Sequence, residues 1–96
     1  MTKNELLDRL EGLPVVQCFV QNRFSVRTAW YVCGMYRLTE RLYCTLRVVT
    51  DTETGIQDTE LDIYRGMAGR KVAFVKSIDV TRIDLIVPLY DSVMIL

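Results

Sequence analysis

The chain offers few side chains that could carry out catalysis or hold a metal. It has 96 residues and no histidine, so the residue that most often moves protons near neutral pH is missing. Catalytic triads that use histidine and zinc sites built from cysteine and histidine are therefore excluded. Two carboxylate–tyrosine pairs, Asp62 with Tyr64 and Glu40 with Tyr43, are the remaining acid–base candidates. We expect no catalytic residue, no metal and no cofactor; an enzyme that uses one of these pairs is the third of three hypotheses.

The cysteines predict buried free thiols. Cys18, Cys33 and Cys44 are odd in number, lie in apolar runs and form no C-x-x-C motif. Such thiols are typical of a reducing compartment. Residues 1–10 lack the apolar core of a signal peptide, and no apolar run approaches the ~20 residues that span a bilayer. We therefore expect a soluble cytoplasmic or nuclear protein with no membrane partner.

Charge is balanced in total but arranged in blocks. Twelve basic residues, nine of them arginine, offset twelve acidic residues. Residues 20–50 are mainly basic, residues 51–64 acidic and residues 65–82 mainly basic again. One interpretation is pairing of solvated side chains across strands, worth at most about 1 kcal/mol per exposed pair. The other is an arginine surface for phosphates or an acidic partner, because the planar guanidinium binds both in bidentate fashion.

The composition is that of one globular domain, residues 1–96. Half of the residues are hydrophobic and a quarter are charged, which is enough apolar material for an ordinary core. Thr2 and Glu5 form a capping-box pattern, leucines recur behind them at helical spacing, and Pro14 ends the pattern. The sequence therefore predicts an N-terminal helix over residues 2–11.

Beyond Pro14 the hydrophobic period changes to two, which predicts strands. A helix is the competing interpretation for residues 25–37, where Gly34 and the frequent valine, tryptophan and tyrosine favour a strand. The predicted strands cover residues 15–20, 25–37, 42–49, 59–64, 72–76 and 80–87. The fold class is mostly β with a minor helical part: a strongly bent, five- to six-stranded antiparallel sheet over residues 15–87. The apolar tail at residues 88–96 is either an extra edge strand or a partner contact.

Two stretches resemble the paired motifs of the Sm and LSm proteins. Residues 32–36, with Gly34 at their centre, and residues 38–46 are similar to the first motif, in which a glycine precedes an acidic position and an asparagine. Residues 74–80 are similar to the second motif, with Lys76 and Ser77 in place of its Arg-Gly pair. The resemblance implies an Sm-like small barrel in which Gly34 lets a long strand bend.

The resemblance also implies candidate binding residues. Tyr43 stands where the family has its asparagine, and a tyrosine can stack on a base. The degenerate RNA contact would comprise Arg41, Tyr43, Lys76 and Ser77. Sm proteins associate by joining the fourth strand of one subunit to the fifth of the next. The corresponding oligomer interface would comprise Val72, Phe74, Val80, Ile83 and Leu85.

The leading hypothesis is a non-catalytic Sm-like subunit of a ribonucleoprotein or RNP-assembly complex, closer to the Gemin type than to an RNA-binding ring member. It would form a hetero- or homo-oligomer by strand pairing, with at most weak RNA contact. The alternative is a small adaptor or inhibitor, of phage or mobile-element type, that binds a protein without nucleic acid. A bent barrel favours the first hypothesis, and an open sheet with an exposed apolar face favours the second.

Overall fold

The N-terminal helix forms where its capping pattern predicts it. In the computed structural model, which describes residues 1–22, 29–89 and 93–96, helix α1 spans Lys3–Leu10. The Glu5 N–H donates to Thr2 Oγ1 at 3.2 Å and the Thr2 N–H donates to the Glu5 carboxylate at 3.3 Å. Leu6 and Leu10 on its apolar side are buried. The predicted helix is confirmed.

Five strands follow in an antiparallel meander, and neighbours in the chain are neighbours in the sheet. They are β1 (Val15–Gln21), β2 (Trp30–Arg37), β3 (Leu42–Thr50), β4 (Gln57–Arg65) and β5 (Ala73–Asp79). The predicted strands at residues 15–20, 42–49, 59–64 and 72–76 are thus confirmed, with shifted ends. The strand predicted at residues 25–37 is confirmed from Trp30 onward, and the helical interpretation is wrong there; residues 23–28 lie outside the described chain.

The sheet bends strongly where β2 passes to β3. β2 pairs with β1 over seven successive residues but with β3 only through Tyr36 and Arg37. The β1–β2 hairpin therefore turns away from the β3–β4 hairpin and covers one of its faces. The core on that face contains Cys18, Val20, Met35, Tyr43, Tyr64 and Val72. Helix α1 covers the opposite face, where the core contains Leu6, Leu10, Leu42, Cys44, Leu61, Ile63, Val80 and Ile83.

The two ends of the sheet approach each other next to β1. The Gly69 N–H donates to the Gln17 carbonyl at 2.7 Å, and Phe19 forms a parallel bridge with Lys71. Over the described part of the chain this bridge is isolated, and the strands form an open five-stranded order. The antiparallel sheet is confirmed, whereas the small barrel stays a prediction.

The strand predicted at residues 80–87 is wrong for residues 80–85, and only its end, at residues 86 and 87, is a strand. β5 ends at Asp79, whose carboxylate accepts a hydrogen bond from the Thr81 N–H at 2.9 Å and caps a 3₁₀ helix at Val80–Arg82. Val80 and Ile83, three residues apart, are both buried, as the 3₁₀ period requires. The chain then forms a separate two-stranded sheet from β6 (Ile86–Pro88) and β7 (Val93–Ile95). The apolar tail thus supplies a strand.

Candidate interaction sites

β5 is the end strand of the sheet, and among the described strands it pairs only with β4. Its side chains from Ala73 to Ser77 are exposed, including Phe74 and Val75. A register shift between Ile63 and Tyr64 of β4 marks a bulge in its pairing. An unpaired edge presents backbone N–H and C=O groups that can bind another strand. The β5 edge is therefore a candidate protein-binding site.

A buried carboxylate joins β3, β4 and β5. Asp62 is 2% exposed; Arg47 Nε donates to its Oδ2 at 2.9 Å, and Arg47 Nη2 donates to its Oδ1 at 3.4 Å. The Ser77 hydroxyl donates to Asp62 and accepts from Arg47 Nη2 at 3.2 Å. The hydrogen bond to Asp62 raises the pKa of the Arg47 guanidinium. Cross-strand pairing of the charge blocks thus occurs here in buried form, and this Asp62 network fixes β5 against its neighbours.

A cavity of about 300 Å³ opens between the β1–β2 hairpin and the start of β5. We call it the Trp30 cleft; it is lined by Gln21, Trp30, Tyr64, Lys71, Val72, Ala73 and Phe74. Trp30 is 41% exposed and Phe74 40%, while Tyr64 is buried and meets Phe74 edge to face with ring centres 5.7 Å apart. Lys71 Nζ lies 4.6 Å from the centre of the Trp30 ring, a cation–π contact. No local sequence pattern predicts this site, because Trp30 and Lys71 are far apart in the chain.

The outer face of the β1–β2 hairpin carries no charged side chain. The pairing register places on it Val15, Gln17, Phe19, Gln21, Trp30, Val32, Gly34 and Tyr36. Val15, Phe19 and Val32 are exposed apolar side chains on this face. Such a surface is a second candidate for protein binding, since charged residues are depleted in the centres of protein interfaces.

The four residues predicted to contact RNA do not share one exposed site. Tyr43 is 1% exposed, and its hydroxyl donates to the Glu40 backbone carbonyl at 2.7 Å. The stacking role inferred for Tyr43 is thus corrected, because its ring lies in the core. Ser77 has its hydroxyl in the Asp62 network. Arg41, before β3, and Lys76, on β5, are exposed.

The five residues predicted to form an oligomer interface divide by burial. Val72, Val80 and Ile83 are buried in the two cores of the chain, which corrects their assignment to an interface. Phe74 and Leu85 are exposed.

The bend role of Gly34 stays a prediction. Gly34 lies within the continuous β1–β2 ladder opposite Gln17, and its φ is not positive. The change of strand partner occurs later, at Tyr36 and Arg37.

In both predicted acid–base pairs the carboxylate lies beside an arginine. Tyr43 contacts the backbone of Glu40, and the Glu40 carboxylate lies 4.0 Å from Arg37. Asp62 is held by Arg47 and Ser77.

Cys18, Cys33 and Cys44 are free thiols; Cys18 and Cys44 are buried, as predicted, whereas Cys33 is partly exposed.

In the described ranges, no three cysteine or acidic side chains cluster in a way that could hold a metal ion. The helices described here are too short or too polar to cross a membrane. Comparisons with protein-family models, with curated proteins and with solved structures find no match to this chain.

Proposed function

We propose that this chain is a non-catalytic interaction subunit that binds a protein partner by strand addition to β5. The position of β5 at the end of the described sheet, with its exposed apolar side chains, is the observation that carries this proposal. The Asp62 network supports it, because a strand held in place loses little conformational freedom on binding. Lys76 and the bulge in β5 limit indiscriminate pairing, which favours a dedicated partner.

The resemblance to the Sm and LSm proteins supplies the cellular context. It places the subunit in a ribonucleoprotein or RNP-assembly complex of the cytoplasm or nucleus, as a hetero- or homo-oligomer with at most weak RNA contact. The helix before the strands, the bend between β2 and β3, and the approach of β1 to the residues before β5 support an Sm-like small barrel. Within this proposal, Phe74 and Leu85 are the interface residues that stay accessible.

Light scattering coupled to size-exclusion chromatography tests self-association of wild type, Val75→Lys and Ile56→Lys. Val75 is exposed on the β5 edge, and Ile56 is exposed in the β3–β4 loop as a matched control. Since a charge on an edge strand opposes pairing, we expect an oligomer for wild type and Ile56→Lys and a monomer for Val75→Lys.

A photo-crosslinking amino acid at position 75, with position 56 as control, extends the test to other partners in cells. We expect crosslinks specific to position 75 that join protein components of an RNP complex. A monomeric wild type without such crosslinks contradicts the proposal. Crosslinks to a protein outside any RNP complex would support strand addition but contradict the Sm-like context.

The second candidate function is the adaptor or inhibitor that binds a protein without nucleic acid. The open strand order of the described sheet and the uncharged outer face of the β1–β2 hairpin favour it. Val32→Lys separates the two candidates, because Val32 is exposed on that face. Loss of the partner with Val32→Lys but not with Val75→Lys would support the adaptor.

A further inference from the structure

The Trp30 cleft is lined by two aromatic residues that are partly exposed to solvent. Trp30 comes from the start of β2 and Phe74 from β5, and both rings stay about two-fifths exposed. The buried ring of Tyr64 packs edge to face against the ring of Phe74. Exposed planar rings on strands are the surfaces on which unpaired nucleic-acid bases stack, because every base has a π-face.

One basic residue lines this cleft, and a second lies in the cavity next to it. Lys71 lines the cleft, and Arg70 and Lys71 line the adjoining shallow cavity next to Phe19. None of the described residues that line either cavity carries a carboxylate. The local charge therefore favours an anionic ligand, although the whole chain is neutral.

The segment that carries these cations is held in place by the backbone. The Phe19 N–H donates to the Arg70 carbonyl, and the Val72 N–H donates to the Phe19 carbonyl, both at 2.9 Å. Lys71 also rests over the Trp30 ring. The backbone that carries these cations is thus positioned before a ligand arrives, which lowers the entropic cost of binding.

We infer that the Trp30 cleft binds single-stranded nucleic acid, with a base stacked on Trp30 and a phosphate beside Lys71 and Arg70. An apolar peptide would satisfy the rings but leave the cations without a counter-charge, whereas a nucleotide unit satisfies both. The lysine moves from the ring to the phosphate when the base takes its place. This site differs from the set inferred from the Sm resemblance, and it does not depend on strand addition to β5.

Trp30 is the single tryptophan of the chain, so its fluorescence reports directly on the cleft. The full chain is titrated with a short oligouridine, with an oligodeoxythymidine of equal length and with a duplex of that length. We expect both single strands to quench the fluorescence and the duplex to leave it unchanged. Absence of quenching by the single strands overturns the inference.

Substitutions test whether the Trp30 ring stacks on a base. Binding is measured by the fluorescence anisotropy of a labelled oligouridine. Trp30→Ala is compared with Tyr31→Ala, since Tyr31 is an exposed aromatic neighbour on the opposite side of β2 and is not among the residues that line the cleft. We expect Trp30→Ala to weaken binding at least about fivefold and Tyr31→Ala to leave it within about twofold. Trp30→Phe keeps an aromatic ring and should retain most of the affinity. It is the control that separates loss of stacking from loss of the fold in Trp30→Ala. Wild-type affinity in both Trp30 variants overturns the inference.

The salt dependence of oligouridine binding tests the role of Lys71. Lys71→Gln should reduce the slope of log affinity against log salt by about 0.7, one phosphate contact on a single strand, while Lys76→Gln should not change it. The reverse result would reject the cleft in favour of the residues inferred from the resemblance. The same titration with Val75→Lys should give wild-type affinity, which separates failure of this inference from failure of strand addition.

Discussion

At the scale of single residues, burial decides which side chains can act on a partner. Tyr43 and Phe74 are both aromatic residues on strands, yet the ring of Tyr43 is enclosed in the core and that of Phe74 reaches solvent. Asp62 and Glu40 are both carboxylates near arginines, yet only Asp62 is buried. Residue type alone therefore does not separate structural from interacting residues in this chain.

The Asp62 network predicts a large difference between two carboxylate-to-amide substitutions. Asp62→Asn should lower the free energy of unfolding by about 3 kcal/mol, because it removes the negative charge to which the partly buried Arg47 is hydrogen-bonded. Glu40→Gln is the control; it weakens only a surface pair with Arg37 and should cost less than about 1 kcal/mol. Urea unfolding measures both. Equal stability of the two variants would contradict a structural role for the network.

The three thiols should react in an order set by burial. Burial raises the pKa of Cys44 to about 12 and also raises the pKa values of Cys18 and Cys33. Because the thiolate is the reactive form, we expect the partly exposed Cys33 to be alkylated first and Cys44 only on unfolding. Peptide mass spectrometry after timed labelling measures the order, and equal rates for Cys33 and Cys44 would contradict it.

The raised pKa of Cys44 also sets the sign of its effect on stability. As pH rises above about 9, the thiol ionises in the unfolded chain while it stays neutral in the folded protein up to about 12. Its contribution to the free energy of unfolding is therefore complete below about pH 9 and decreases through this alkaline window.

At the scale of elements, the glycine that leaves no room for a side chain lies in the β4–β5 connection rather than in β2. A Cβ on Gly34 would meet Val15 Cγ1 at 3.8 Å, an ordinary contact. A Cβ on Gly66 would lie 3.1 Å from the Val72 Cα and 3.2 Å from the Lys71 carbonyl oxygen. Backbone atoms cannot rotate away as a flexible side chain can, so the connection has no room for a side chain at Gly66.

Gly34→Ala and Gly66→Ala form a matched pair for this point. We expect Gly34→Ala to leave the free energy of unfolding within about 0.5 kcal/mol or to raise it, since alanine restricts the unfolded chain. Gly66→Ala should cost about 1–3 kcal/mol through overpacking against Val72. Thermal unfolding compares the two variants. A larger loss of stability for Gly34→Ala would support the bend role inferred from the Sm resemblance.

At the scale of the whole molecule, both cores meet on β3 and β4. Helix α1 and the 3₁₀ helix cover one face of these strands, and the β1–β2 hairpin covers the other. β1, β2 and β5 each keep exposed side chains, which matches their place in the candidate interaction sites. The stable centre and the interacting periphery are therefore different parts of one sheet.

Hydrogen exchange should map this division. We expect the slowest amide exchange in the first half of β3 and the second half of β4, where the residues are buried, and the fastest exchange in residues 51–56. The β1–β2 hairpin should exchange at intermediate rates. Protection in β1 and β2 equal to that in β3 and β4 would contradict the two-core arrangement.

The sequence by itself determined the capped helix, the alternating strands β1, β3 and β4, and the lack of histidine chemistry, because these depend on residue type and on spacing over a few residues. Only the tertiary structure decided that Tyr43 is core, that the strand ends at Asp79, and that the Asp62 network and the Trp30 cleft exist. These features join positions such as Arg47 with Ser77 and Trp30 with Lys71, which are far apart in the chain. Burial and pairing between distant segments arise from packing of the whole chain, and a short-range pattern does not contain them.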